Sequence, residues 1–511
     1  MATAIAKTAT IVGVDAQLIE VEADVHMGLG AFHIVGLPDG SIKESKERIQ
    51  SALKNACGSF PIRRIVVNLA PADIKKMGTG FDLPIALAVL EAHGRLPAGS
   101  LNLEPIIGEL SLEGKIRPVP GILAVALAVK RSGFARLIVP QENAAQASLV
   151  EGLEILPAGH IGEVFSHYLE ERPLAPFGAE QNGDRKESIV TDLDFSDVRG
   201  QETAKRSLEI AAAGRHNVLF SGPPGSGKSM LAKRLPSILP SPTFEETLEA
   251  TKIHSIAGTL HNSRSFLPER PFRCPHHSIS GAGLVGGGAN PKPGEVSLAH
   301  HGVLFLDELP EFSRHTLDLL RQPLEEKCVT IARVASTLSF PADFVLLAAM
   351  NPCPCGHLGD ANQECTCAAA AILRYRSRVS GPLLDRIDLQ IEMPNLTYDE
   401  LNFSQKGETS DRIRRRVEAA QEIQQKRFEN SSVDYNADMS HRQVELHCEL
   451  NREGHGLLAD ALTKYRLSGR AHDSILKMAR TIADLEQSAS LEPWHLAEAV
   501  NYRCLDREIR Y

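Results

Sequence analysis

Apolar and polar positions follow three different rhythms along the chain. Up to about residue 170, short β-rich runs such as Ile65-Val66-Val67 and Leu137-Ile138-Val139 alternate with helical patterns over 41–55 and 82–92. The stretch 171–189, which begins ERPLAPFGAEQNGDRK, carries Pro, Gly and charge without an apolar period and reads as an interdomain linker. Over 190–395, strand-like runs at 217–220, 303–306 and 344–348 are separated by helical stretches, which predicts a parallel sheet with crossover helices. Beyond 396 the period is helical, over 411–429, 440–464, 470–486 and 493–503. The expected class is α/β: an α/β region at 1–170, the linker, a parallel-sheet core at 190–395, and a helical C-terminal region at 396–511.

Composition narrows the function. Of 511 residues, 43% are hydrophobic and 23% charged, which excludes wholesale disorder. The formal net charge is −9, whereas a protein that coats nucleic acid over its outer surface is expected to be basic. Contact through one small basic patch or channel stays open. Aromatic residues make up 5%, with Trp494 the single tryptophan, which is poor material for a base-stacking platform. No apolar run reaches the length of about 18 residues that spans a bilayer, and the N-terminus lacks an export signature. Five scattered cysteines (Cys57, Cys274, Cys328, Cys448, Cys504) suit reduced thiols. A cytoplasmic protein without a membrane partner is expected.

The strongest motif follows the run at 217–220. Gly222-Pro223-Pro224-Gly225-Ser226-Gly227-Lys228-Ser229 matches G-x-x-x-x-G-K-[ST] between a strand and a helix. Gly222, Gly225 and Gly227 let backbone amides close around phosphate oxygens where the helix dipole favours anions. Lys228 can reach the β and γ phosphates, and the Ser229 hydroxyl can ligate Mg²⁺. About eighty residues on, Val303-Leu304-Phe305-Leu306 ends in Asp307-Glu308. This is a buried strand delivering two carboxylates to the sheet's C-terminal edge, Asp307 for Mg²⁺ and Glu308 for the attacking water. ATP hydrolysis with ATP and Mg²⁺ bound is the expected chemistry.

Four further cysteines cluster as Cys353-Pro354-Cys355 and Cys365-Thr366-Cys367. Four thiolates this close can close a tetrahedral Zn²⁺ site, and they leave no open position for catalysis. A cytosolic redox pair is the alternative, since C-x-C is tighter than the usual C-x₂-C spacing.

Beyond the phosphate loop, the sequence resembles AAA+ ATPases. Ala348-Ala349-Met350-Asn351-Pro352 looks like their polar sensor, which implies that Asn351 orients water near the γ-phosphate. Gly381-Pro382-Leu383-Leu384-Asp385-Arg386-Ile387-Asp388 is similar to an element of magnesium chelatase and MCM-type members. That resemblance makes Arg386 an arginine finger for the neighbouring subunit's nucleotide, with Arg376 and Arg378 as secondary candidates. Leu467-Ser468-Gly469-Arg470-Ala471 looks like the lid sensor of these proteins and implies Arg470 at the phosphates. An arginine acting in trans makes hydrolysis depend on ring assembly, and the implied state is a homo-oligomer, a hexamer.

Residues 271–293 are too Gly-rich for a packed helix, and 327–340 alternates like a hairpin. The resemblance implies that both are insertions facing a central pore, where His276, His277, Lys292 and Arg333 would meet DNA phosphates; subunit packing is the competing reading. The helix carrying Arg412, Arg414, Arg415, Arg416, Lys426 and Arg427 reads as a solvated or intersubunit face before it reads as a nucleic-acid path.

In the N-terminal region, Lys76-Met77-Gly78-Thr79-Gly80-Phe81-Asp82 and Gly108-Glu109-Leu110 with the segment through Gly121 resemble the Lon-type protease fold. The nucleophilic serine of that motif falls at Gly80 and its catalytic lysine at Leu123, so no hydroxyl nucleophile or amine base remains. A Lon-like region without its dyad, a chelatase-type ATPase core and a helical lid together resemble the bacterial YifB/ComM family. That resemblance implies a helicase that moves branched DNA, single-stranded or forked, through its pore during natural transformation. A metal-chelatase motor and a protein remodeller are the alternatives.

Overall fold

The computed structural model describes residues 3–178 and 193–503, apart from 59, 62, 261–265, 289–290, 333–336, 361–362, 398–399, 401–406, 432 and 466. Most of the expected linker 171–189 therefore lies outside the described residues. Among the described residues, no helix is long and apolar enough to cross a membrane.

The N-terminal region is built on a four-stranded sheet in the order Ala4–Val12, Asp15–His26, Arg64–Ala70, Ala31–Val35. The first two pairings are antiparallel and the last is parallel. The expected helix near 41–55 runs over Gly40–Ala56, opened by Asp39, whose carboxylate accepts the Ile42 amide at 3.0 Å. The Asp82–Ala92 helix is buried from Asp82 through Leu90. The one charge within that buried stretch, Asp82, is met by Arg48 at 2.7 Å and by the Leu110 amide at 3.2 Å.

The two positions where the Lon resemblance expects catalytic groups are packing positions here. Leu123 is wholly buried in an apolar cluster with Ile107, Val119 and Val125. A Cβ on Gly80 would lie 3.0 Å from Ile107 and 3.5 Å from Val119. This region docks on the rest of the chain beside that cluster: the Gly121 amide donates to the Ser255 carbonyl at 3.1 Å, and Asp15 pairs with Lys252 at 3.1 Å.

The second region holds a five-stranded sheet ordered Phe272–Arg273, Val303–Leu306, Val345–Met350, Val218–Ser221, Leu389–Glu392. Every pairing in it is parallel. The three central strands carry the expected apolar runs, buried on both faces. The edge strand Phe272–Arg273 corrects the reading of 271–293 as an insertion throughout. Two residues are too few for a periodic signal, and the carbonyl of Pro271 fixes the strand by accepting the Val303 amide at 2.8 Å. The expected hairpin is present as Cys328–Ala332 paired with Thr337–Pro341. Its tip, with Arg333, lies outside the described residues.

C-terminal helices follow at Ser410–Phe428, His441–His447, Arg452–Tyr465, Gly469–Leu485 and Pro493–Asn501. The single pattern expected over 440–464 is interrupted, because Leu450 bridges Leu491 and Asn451 Oδ1 accepts the Gly454 amide at 2.7 Å to start a new helix. Val417, Ile475, Ile482 and Leu496 share one buried cluster with Leu208, Val218 and Phe220 of the sheet region.

Candidate nucleotide site and four-cysteine cluster

Strand register decides which residues can meet. Leu306 pairs with Ala348, and Ser221 pairs with both Met350 and Glu392. The chain therefore leaves the sheet after Ser221, Leu306 and Met350 at one edge, the C-terminal edge where ligands of such sheets bind. Gly222–Ser229, Asp307, Glu308 and Asn351 all emerge there.

The loop's glycines are required for different reasons. Gly225 and Gly227 have φ of 82° and 94°, a region costly for residues with a Cβ. A Cβ on Gly222 would lie 2.3 Å from the Met393 carbonyl oxygen and 3.0 Å from Ser226 Oγ. The ammonium of Lys228 folds into the loop and donates to the carbonyls of Gly222 at 2.6 Å and Pro223 at 2.8 Å, with Asn351 Oδ1 at 3.3 Å. Burial pushes this lysine below its ordinary range, against the attraction of Asp307.

Ser229 Oγ donates to Asp307 Oδ2 at 2.6 Å, and Asp307 Oδ1 accepts the Glu308 amide at 2.9 Å. A hydroxyl and a carboxylate in contact, one residue from a buried lysine in a glycine arc, fit a magnesium nucleotide. Glu308 has φ 53°, a left-handed conformation that costs a residue with a Cβ about 1–2 kcal/mol. Its half-exposed carboxylate lies 3.4 Å from His277 Nδ1.

That last contact was not legible in the sequence. The His277 ring lies 4.1 Å from that of His276, tilted against it, and reaches the carboxylate just past the strand Val303–Leu306, while His276 and Lys292 are exposed. Arg376 and Arg378 stay near this edge: Arg376 Nε donates to the Pro352 carbonyl at 3.1 Å, and Arg378 pairs with Glu311 at 3.0 Å.

Arg386 and Arg470 lie elsewhere. Arg386 precedes the strand Leu389–Glu392 at the sheet's N-terminal edge, where its carbonyl accepts Asn217 Nδ2 at 3.0 Å. Glu325 Oε1 accepts from Arg386 Nη2 at 2.5 Å and from Arg470 Nη2 at 2.9 Å. Both line a polar cavity of about 260 Å³ with Arg215, Lys327 and Asp473. The expectation of Arg470 at the phosphates is thus corrected for this chain's own loop. Glu325 escaped sequence reading because it reaches its partners across 61 and 145 residues.

Most of the arginine-rich helix is engaged within the chain: Arg414 with the Ser237 carbonyl at 3.0 Å, Arg415 with Asp411 at 2.8 Å, Arg416 with Glu209 at 2.6 Å, and Arg427 with Asp484 at 2.5 Å. Arg412 and Lys426 remain exposed on it.

The four clustered cysteines come together. Cys353 Sγ lies 3.4 Å from Cys355 Sγ and 3.6 Å from Cys365 Sγ, the latter two are 3.6 Å apart, and Cys367 completes the group within 4.8 Å. Zinc–sulfur bonds of about 2.3 Å in a tetrahedron set sulfurs about 3.8 Å apart, so the donor set fits that ion. The His357 and Thr366 amides, aimed at Cys355, hold its thiol down to about 5.

A second group, Glu249 with His300 and His301, is a hydrogen-bonded cluster. The Asp343 amide donates to His300 Nδ1 at 3.0 Å, which leaves the hydrogen on Nε2, directed at Glu249 3.2 Å away.

A parallel sheet with a glycine phosphate loop, a lysine and an adjacent hydroxyl–carboxylate pair defines a P-loop nucleotide-binding protein. Residues 194–401 match the family described as magnesium chelatase, subunit ChlI; residues 21–143 match subunit ChlI of Mg-chelatase, and residues 407–503 its C-terminal part. The chain is 44% identical to the competence protein ComM of Haemophilus influenzae and 43% identical to YifB of Salmonella typhimurium. Each likeness spans 99% of this chain and 98% of the relative. A Lon protease of Rhizobium meliloti is 26% identical over 31% of this chain and 21% of its own. The chain belongs to the YifB/ComM family of magnesium chelatase-like proteins.

Proposed function

We propose that the protein is a ring-forming, Mg²⁺-dependent ATPase that acts on DNA and drives branch migration or strand separation in recombination or natural transformation. The division of charged groups between the two edges of one sheet carries this reading. Lys228, Ser229, Asp307, Glu308 and Asn351 stand at one edge and Arg386 with Arg470 at the other. A four-residue strand separates the edges by about 10 Å, so the arginines complete a nucleotide site only on a neighbouring copy. A closed ring, here a hexamer, satisfies every copy at once.

In that assembly Lys228 exchanges its loop carbonyls for β- and γ-phosphate oxygens. Ser229 and Asp307 would hold the Mg²⁺ that neutralises phosphate charge. Glu308 orients the attacking water and takes its proton, with Asn351 beside the γ-phosphate. Arg386 and Arg470 of the next copy leave Glu325 and neutralise the charge that develops on the transferring group. The four sulfurs hold a structural Zn²⁺; less than half an equivalent of zinc per chain after zinc-replete expression would remove that assignment.

The DNA reading draws support from the Haemophilus relative, named a competence protein, and the charge of −9 argues only against contact over the outer surface. That charge restricts phosphate contact to a few basic groups on the pore side, with Lys292, His276 and Arg333 the candidates. The family descriptions favour a second reading, a chelatase-type motor, and protein remodelling is a third. The ATPase rate with and without single-stranded and forked DNA separates them. Stimulation together with low-salt binding is expected; neither appearing would leave the chelatase or remodelling reading standing.

A further inference from the structure

We propose that the metal-filled cysteine knuckle is the outer wall of the phosphate loop, so that nucleotide affinity depends on its Zn²⁺. This rests on the zinc reading of the four sulfurs given above and concerns what the metal does for the neighbouring site.

Three contacts carry the inference. First, Gly356, with φ 88°, lies between the second cysteine and the loop's apex, and its backbone touches Pro224 of the phosphate loop. A Cβ there would stand 2.6 Å from Pro224 Cδ and 2.9 Å from Cγ. Second, Cys353 follows Asn351 with only Pro352 between them, and Asn351 Oδ1 is 3.3 Å from the Lys228 ammonium. Moving the first sulfur therefore moves the sensor side chain. Third, the knuckle is tied to the loop's other flank. Asp360 Oδ2 accepts from Asn395 Nδ2 at 2.9 Å and meets His357 Nδ1 at 3.1 Å. Asn395 is two residues past Met393, whose carbonyl oxygen sits where a Cβ of Gly222 would be.

The knuckle thus touches Pro224, continues into Asn351 and reaches the backbone behind Gly222. Across 353–367, the helix that follows adds one hydrogen bond back to the entry leg, from Arg376 Nε to the Pro352 carbonyl. Four metal–sulfur bonds fix the spacing of both legs in a way scattered hydrogen bonds do not. Without them, the wall against Pro224 and the position of Asn351 become free to shift, and the loop binds phosphates in a less defined shape.

The test uses the full-length chain and a fluorescent ADP analogue. Zinc per chain is measured first, then the Kd before and after zinc removal by a zinc-selective chelator, with Mg²⁺ in excess, and again after one equivalent of Zn²⁺ is returned. The expected result is a Kd raised at least tenfold on zinc removal and restored on its return. An unchanged Kd in the zinc-free protein overturns the inference while the zinc site stands; a native protein without zinc overturns the zinc reading itself. Gly356→Ala separates the contact from metal-dependent folding. It is expected to keep its zinc and its melting temperature to within a few degrees and still raise the Kd several-fold. A zinc-replete Gly356→Ala protein with wild-type Kd also overturns the inference.

Discussion

The two edges of the central sheet carry comparable numbers of charged groups but hold them in opposite ways. At the C-terminal edge the backbone does the shaping: Gly225, Gly227 and Glu308 all have positive φ, and Ser229 already meets Asp307 at 2.6 Å. At the N-terminal edge the side chains do it, and Glu325 holds Arg386 and Arg470 through one oxygen. The first edge is a site shaped in advance for phosphate. The second is a pair of cations that share a single carboxylate, with Asp473 lining the same cavity. Strain retained at one edge and charge held at the other are what two halves of a shared site require.

The largest effects fall on residues that only one edge supplies. Lys228→Ala removes the loop's only ammonium and is expected to abolish nucleotide binding together with phosphate release, both read by equilibrium binding and a phosphate assay. Arg386→Ala should leave nucleotide affinity near wild type while hydrolysis falls by about 10³-fold or more, the usual worth of an arginine finger. Loss of binding in that variant would place Arg386 in its own chain's site and break the comparison. Glu308→Gln should retain binding and lose about 10²–10⁴-fold in turnover.

Two smaller effects sharpen the contrast with the N-terminal region, where Gly80 and Leu123, the positions at which the Lon resemblance expects catalytic groups, serve packing. Leu123→Ala empties a buried apolar site and is expected to cost about 2–5 kcal/mol, seen as a lowered melting temperature with turnover per folded chain unchanged. Asp15→Ala removes the surface pairs of Asp15 with Lys252 and Arg131 and should cost no more than about 1 kcal/mol for each, measured by denaturant unfolding.

What was legible in the sequence was what is contiguous. The phosphate loop, Asp307-Glu308, Asn351 and the C-x-C pairs each declare themselves within a few residues, and the buried strands between them are unbroken apolar runs. The hairpin at 328–341 was readable for the same reason. Contacts made by folding alone were not readable. Glu325 is one acid in a short helix until the chain brings it to two arginines, and His277 belongs to a Gly-rich segment whose partner, Glu308, lies two residues past the end of a distant strand. The strand Phe272–Arg273 is too short for a period, and the contact of Gly356 with Pro224 depends on a glycine that looks like any loop glycine.

The central claim is that the two edges are halves of one catalytic site in adjacent copies. Mixing Lys228→Ala and Arg386→Ala proteins tests it most directly, because each variant lacks a different half. After subunit exchange at equal amounts, about a quarter of the interfaces join an intact loop to an intact arginine. ATPase activity should therefore rise well above that of either variant alone. A mixture no more active than its two inactive parents, with exchange shown to have occurred, would contradict the account.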